Sequence, residues 1–302
     1  MSIIDPVFLK NLDRLRVRVR AARGHRPGET PIPRISQQWG IEFESYKDYG
    51  PGDDFRYVDW NAVGRLDQML VKTFTAEREI PFHLFLDTSA SMGAPTIDHK
   101  FAFATDLVAA FSYVVLINND TLRVVALSSP EKGQRPFLAL SSLRHRSQFL
   151  RVPPFLERLT AAGKTYLRET VRAYIEQTKE RGVAVVLSDF LTEPSQYEEA
   201  LILLKARGYE VKAVHILGAA ELDPTQLFRR GKLYDVEDQS ERWISLTQAN
   251  LQRYRDALQA HLDAVQGFCH RHQILYARVS TASRLLAVMT EEFPRAGLLT
   301  LR

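Results

Sequence analysis

The apolar run Phe82-His83-Leu84-Phe85-Leu86, closing on Asp87-Thr88-Ser89-Ala90-Ser91, constrains the fold of this chain more than any other stretch. A run of that length, alternating little and ending on polar residues, predicts a buried strand of a parallel sheet that hands its last side chains to a loop. Val183-Ala184-Val185-Val186-Leu187-Ser188-Asp189 is a second apolar strand closing on a carboxylate. In an open α/β sheet ligands gather at the carboxyl ends of strands near the switch in strand order, so the two aspartates are expected to face one crevice.

The D-x-S-x-S spacing supplies one carboxylate and two hydroxyls from a short loop. All are oxygen ligands, which suits a hard cation such as Mg²⁺, or another divalent cation, better than zinc or iron. Serines after an aspartate also cap the helices that follow strands, so the pattern needs support from elsewhere in the chain. Thr165, in Ala162-Gly163-Lys164-Thr165-Tyr166-Leu167, and Asp189 supply it, and the three segments read as one site.

Asp87, Ser89 and Ser91, then Thr165, then Asp189 match in order and context the metal-ion-dependent adhesion site, and the chain resembles von Willebrand factor A-like domains. Upstream, Gly40-Ile41-Glu42-Phe43, Tyr49-Gly50-Pro51-Gly52-Asp53-Asp54, Arg56, Asp59-Trp60, Arg65 and Val71-Lys72 resemble the signature of an uncharacterised bacterial family. In that family an A-like domain accompanies MoxR-type AAA+ ATPases. The resemblance implies that Asp87, Ser89, Ser91 and Thr165 coordinate Mg²⁺, with Asp189 in the outer shell. It further implies a metal-dependent protein–protein interaction module that grips an acidic residue of a client protein. Such a module would work beside a MoxR-type AAA+ ATPase in assembling or remodelling complexes, not as an enzyme.

At 302 residues, 45% hydrophobic and 25% charged, the chain is long enough for a full core with a smaller appendage. The single cysteine, Cys269, excludes an internal disulfide framework and fits a cytoplasmic location. No run approaches the ~20 apolar residues of a membrane span, and Met1-Ser2-Ile3-Ile4-Asp5-Pro6 is no signal peptide. Relatives of the resembled family often carry membrane helices ahead of the Gly-Glu-Phe region, and membrane attachment is not carried over to this chain.

The net charge of +4 is mild, but Lys10, Arg14, Arg16, Arg18, Arg20, Arg23, Arg26 and Arg34 crowd the first segment. A positive arm of this kind serves nucleic acid, an acidic surface or an acidic protein by summed electrostatics. Without aromatic interleaving or a recognisable module it reads as a solvated face before it reads as a nucleic-acid scaffold.

The alternation of elements predicts a doubly wound α/β domain, with a mostly parallel sheet and helices on both faces, over residues 80–302. A smaller N-terminal region of strands and loops, residues 1–79, is expected to pack on it. Asp5-Pro6 starts a helix; residues 14–20 fit a helix or an edge strand equally; residues 24–36 read as an extended loop. Asp54, Arg56, Asp59 and Trp60, beyond the Gly50-Pro51-Gly52-Asp53 turn, form either a docking surface or, the reading favoured, an Arg–carboxylate brace. In the main domain, strands are expected at 121–127, 136–140, 209–217, 233–236 and 274–279. Helices are expected at 101–117, 146–159, 166–180, 194–207, 247–271 and 284–292.

Several alternatives fall short. Gly163-Lys164-Thr165 looks like the end of a nucleotide-binding loop, but Arg158 occupies the position of the first glycine. A phosphoester hydrolase of the haloacid dehalogenase type also opens on an aspartate at a strand end with Mg²⁺, yet it needs a second acid where this chain has Ser89. Cys269, His270 and His272 sit too close together on one helix end to converge on a soft metal.

Overall fold

The computed structural model describes residues 5–19, 41–66, 68–76, 79–127, 137–164, 166–226, 230–234, 241–245 and 247–301; the expected loop over 24–36 and Thr165 lie outside them. In chain order the elements begin with α1 (Pro6–Leu12), β1 (Leu15–Val17), β2 (Ile41–Asp48), α2 (Trp60–Leu66), β3 (Leu70–Ala76), β4 (Pro81–Asp87), α3 (Lys100–Ile117), β5 (Thr121–Leu127) and β6 (Phe137–Ala139). They continue with α4 (Val152–Leu156), α5 (Leu167–Gln177), β7 (Val183–Ser188), α6 (Pro194–Ala206), β8 (Glu210–Leu217) and α7 (Ala219–Leu222). The last are β9 (Arg230–Tyr234), β10 (Glu241–Ser245), α8 (Gln248–Arg271), β11 (Leu275–Ser280) and β12 (Leu299–Leu301).

Two compact units result, Met1–Arg20 with Ile80–Arg302 and Ala21–Glu79. The larger is built on a six-stranded sheet in the order β11-β8-β7-β4-β5-β6, parallel except for β6 at its edge. This is the doubly wound α/β architecture that the sequence predicts. From β4 the chain builds outward to β5 on one side and to β7, β8 and β11 on the other, so the switch in strand order lies beside β4.

Alternate residues of β4 serve two cores, as the period of a strand requires. Phe82, Leu84 and Leu86 pack with Leu107, Phe111 and Val114 of α3 on one face. Phe85 packs with Val171 and Tyr174 of α5, Leu201 of α6 and Val265 of α8 on the other. The α3 helix is apolar all round because Leu107 to Leu116 are buried without interruption. The stretch Thr96–Ile117 has the length and apolarity of a membrane span, and 67% of its most apolar 18-residue window is buried within the protein.

The first stretch of chain belongs to the larger unit, where the sequence had grouped it with residues 21–79. Asp5 caps α1 by accepting from Val7 N at 3.0 Å, Phe8 and Leu12 enter the core, and β1 pairs antiparallel with β12. Leu15 and Val17 are buried and Arg16 between them is exposed, so the open choice between helix and strand resolves to a strand over Leu15–Val17. Burying these side chains is the driving force, at ~25 cal/mol per Å² of apolar surface.

In the smaller unit β2 and β3 form an antiparallel pair with a register shift between Phe43 and Ser45. The Gly50–Asp53 turn is closed by Asp53 N donating to Gly50 O at 3.0 Å and by Lys47 Nζ donating to Asp53 Oδ1 at 2.6 Å. Arg56 donates from Nε and Nη2 to Asp54 two residues before it, while Tyr46 Oη donates to Asp59 Oδ2 at 2.9 Å. Two other expectations are revised. The short strand near 233–236 is β9, hairpin partner of β10, and the last helix contains a π-helical turn over Val288–Glu292 before continuing to Ala296.

His83 of β4 is fully buried, with Nδ1 2.7 Å from Tyr174 Oη. Burial first, then the charges of Arg123 and Arg181, pushes its pKa down from 6.5 to about 3. The folded protein therefore keeps this imidazole neutral, the unfolded chain takes up the extra proton below 6.5, and stability falls as pH drops through that window. At pH 5 the loss is about 2 kcal/mol. Urea unfolding at pH 7 and pH 5 should show a smaller acid loss in His83→Gln than in the wild type, and equal losses would contradict this assignment.

Candidate metal centre

Asp87 ends β4 and Asp189 follows β7 at once, and the two strands run side by side with Leu86 opposite Leu187. Both carboxylates therefore stand at the carboxyl edge of the sheet beside the switch in strand order, each 1% exposed. Beyond Asp87 the chain turns through Thr88 and Ser89 into a single 3-10 turn, Ala90–Gly93. Asp87 fixes that turn itself, its Oδ1 accepting from Ser89 N at 2.9 Å, while Thr88 Oγ1 donates to Leu127 O at 2.7 Å.

A second loop is bonded to the first on either side of Ser89. Ala162 N donates to Thr88 O at 2.9 Å, and Ala90 N donates to Gly163 O at 2.9 Å. The backbone leading toward position 165 is thus brought against the Asp87 loop, although Thr165 itself lies outside the described residues.

Of the five residues singled out from sequence, four are brought together. Ser89 Oγ lies 3.0 Å from Ser91 Oγ, and Ser91 Oγ donates to Asp189 Oδ1 at 3.2 Å. The 3.0 Å between the two serine oxygens is a hydrogen-bond contact, and it equals the roughly 3.0 Å that separates adjacent ligands around an octahedral cation with bonds of about 2.1 Å. Among the described residues no group of three or more His, Cys, Asp or Glu is placed to hold a metal ion. The donor set is instead rich in hydroxyls, hard and of low charge, which fits Mg²⁺ or Mn²⁺ and not a thiophilic metal. Cys269 is buried with its thiol pushed up to about 12 by burial, and His272 at the end of the same helix lies against Phe268 at 4.6 Å between ring centroids.

Three residues bonded into the candidate centre escaped the sequence reading. Ser188, the last residue of β7, donates from Oγ to Asp87 Oδ2 at 2.6 Å and accepts from Phe190 N at 2.8 Å, locking the carboxylate in place. Its only signal is adjacency to Asp189. Lys100, the first residue of α3, extends a fully buried side chain whose Nζ donates to Asp189 Oδ2 at 2.8 Å and to Glu221 Oε1 at 2.5 Å.

Glu221, in α7 after β8, also accepts from Gly218 N at 2.7 Å, and Asp98 Oδ1 accepts from Ala220 N at 2.8 Å. A Cβ at Gly218 would lie 2.0 Å from Asp98 Oδ2, so only glycine admits this approach. The sequence points to Asp87 and Asp189 as the carboxylates of the site. The folded cluster holds three carboxylates and one ammonium, because α3 and α7 both begin at the edge of the sheet where the aspartates emerge.

The electrostatics follow from this burial. Desolvation, then the neighbouring charge of Asp189, pushes the Asp87 carboxyl above the ordinary range against the hydrogen bonds from Ser188 and Ser89. For Lys100, burial works against the charged form, but Asp189 and Glu221 outweigh it and raise its pKa, so it stays an ammonium and is no general base. Burial raises the Glu221 carboxyl, and Lys100 opposes that rise.

Comparison with known proteins supplies the remaining context. Uncharacterised proteins of Mycobacterium tuberculosis (Rv1480) and Mycobacterium bovis (Mb1516) are each 27% identical over 176 residues, 58% of this chain and 54% of theirs. The matched region is thus only about half the length of either relative. Among solved structures, BatB from Bacteroides thetaiotaomicron has a TM-score of 0.43 at 14% identity, covering 72% of this chain and 98% of that one. A von Willebrand factor type A protein from Catenulispora acidiphila has a TM-score of 0.38 at 16% identity, covering 76% and 44%. The manganese-loaded TRAP protein of Plasmodium vivax has a TM-score of 0.33 at 15% identity, covering 47% and 58%. Residues 45–266 match the family described as "Protein of unknown function DUF58", and the chain belongs to that family.

Proposed function

We propose that this chain is a protein-interaction module whose contact point is a divalent cation held by Asp87, Ser89, Ser91 and Thr165, with Asp189 in the outer shell. The observation that carries this reading is the convergence, at the switch point of the sheet, of the Asp87 carboxylate with the Ser89 and Ser91 hydroxyls 3.0 Å apart, and of Asp189 behind them, accepting from Ser91 Oγ at 3.2 Å. Asp189 fits an outer-shell role because both of its oxygens are already engaged, Oδ1 by Ser91 Oγ and Leu191 N and Oδ2 by Lys100. A bound Mg²⁺ would offer one electrophilic position to a carboxylate from outside the chain. Ser188 holds Asp87 in position for this, and the short loop fixes both serines.

The partner class follows from the charge. A site with one direct anionic ligand leaves the ion short of negative charge, so an aspartate or glutamate of a client protein is the group it takes. With the upstream signature around Tyr49–Asp54, we assign the work to a complex with a MoxR-type AAA+ ATPase that assembles or remodels the client. The test uses purified protein and a MoxR-type ATPase from the same organism. Pulldown should require Mg²⁺, disappear with EDTA, and disappear for the Asp87→Ala/Asp189→Ala variant. Equal capture under all three conditions would reject the metal bridge.

A further inference from the structure

Lys100 and its partner Glu221 bring charge to the centre that the proposed function does not use. Its side chain is 0% exposed, and that of Asp189 is 1% exposed, so the ammonium and the carboxylate meet away from water at 2.8 Å. Burying a lysine is costly unless it is paired, and here it is paired twice, the second time with Glu221 at 2.5 Å. The geometry divides Asp189 between two tasks. Oδ2 faces the ammonium, while Oδ1 faces Ser91 and the backbone N of Leu191.

We propose that Lys100 is a positioning residue that keeps Asp189 out of direct coordination, and so makes the centre depend on a carboxylate from a partner. This inference rests on the divalent-cation reading of the site. Oδ2 faces the ammonium and Oδ1 accepts from Ser91 Oγ and Leu191 N, so three hydrogen bonds hold Asp189 in place and Asp87 is left as the direct anionic ligand. The fixed positive charge also lowers the affinity of the centre for any cation. Glu221 moderates this effect by taking part of the ammonium's charge, and because Gly218 N holds its other oxygen at 2.7 Å it stays in place to do so.

The experiment is a titration of the full-length chain with Mn²⁺ alone, read by the electron paramagnetic resonance of free Mn²⁺. Lys100→Gln, which keeps a donor and loses the charge, should bind Mn²⁺ roughly ten-fold or more tightly than the wild type. Lys100→Arg, which keeps the charge, should stay near the wild-type affinity. Glu221→Gln leaves the ammonium to Asp189 alone and should weaken binding; it reads the same balance should Lys100→Gln fail to fold. Wild-type affinity in Lys100→Gln, or in Glu221→Gln, would overturn the assignment while leaving the cation site standing. Absence of Mn²⁺ binding in the wild type itself would overturn both.

Discussion

Replacing Asp87 with asparagine should abolish divalent-cation binding while leaving the metal-free protein at least as stable as the wild type. The carboxylate is the direct anionic ligand of the proposed centre, and ligand charge sets cation affinity over orders of magnitude, so a loss on the order of 100-fold or more is expected. Stability should move the other way. Asp87 is buried, stands beside Asp189, and has its carboxyl pushed up by both. A carboxylate whose pKa is raised on folding costs stability at pH values above the unfolded value, and a neutral side chain of the same shape removes that cost. Asparagine can still accept from Ser89 N, and the Ser188 hydroxyl can turn to accept from the new amide. Mn²⁺ titration and urea unfolding in EDTA measure the two halves separately. A variant that binds the ion normally, or that is destabilised by several kcal/mol without metal, would contradict the roles given to this residue.

Gly182→Ala should be the most damaging single methyl group in the fold. Gly182 lies just before β7, and a Cβ built on it would sit 1.9 Å from Pro81 O and 2.8 Å from Pro81 C, at the start of β4. Both are backbone atoms, so no side chain can swing aside. On its other edge Gly182 O accepts from Glu210 N at 2.9 Å, which ties it to β8 as well. The strand would have to leave the sheet at the point where β4, β7 and β8 are in register. About 3 kcal/mol is expected, near the upper end for overpacking, which for a unit of this size corresponds to a Tm lowered by roughly 10 °C. Gly64 in α2 has nothing within 4 Å of its would-be Cβ, so Gly64→Ala serves as the control. Thermal unfolding that ranks the two substitutions equally would contradict the packing described.

Much of the sheet is legible in the sequence because its central strands are buried on both faces. Val183 to Ser188 and Pro81 to Asp87 read as unbroken apolar runs ending in polar residues, and they become β7 and β4 almost to the residue. The α3 helix is legible for the same reason. What escapes is what depends on pairing between distant pieces. In β1 the alternation Leu15-Arg16-Val17 is too short to separate a strand from a helix, and its partner β12 is three residues at the far end of the chain. In β9, Arg230-Gly231-Lys232 carries no apolar pattern, so only the Leu233-Tyr234 end of the hairpin shows. The terminal helix contains Pro294 and a π-helical turn, neither of which an apolar period reports.

The candidate centre divides in the same way. Asp87, Ser89, Ser91 and Asp189 are visible because they follow strands directly and the sheet carries them to one edge. Lys100 and Glu221 are not, since a lysine opening an apolar helix reads as its solvated end, and a glutamate after β8 has no spacing to the rest. Only the folded chain puts their charges within 2.5 Å of each other.

The most direct test of the account is a crystal of the full chain soaked in Mn²⁺ and measured at a wavelength where manganese scatters anomalously. One strong anomalous peak is expected in contact with Ser89 Oγ, Ser91 Oγ and the Asp87 carboxylate, with Asp189 still held by Lys100. An anomalous map with no peak among those oxygens, in crystals that take up manganese elsewhere, would contradict it.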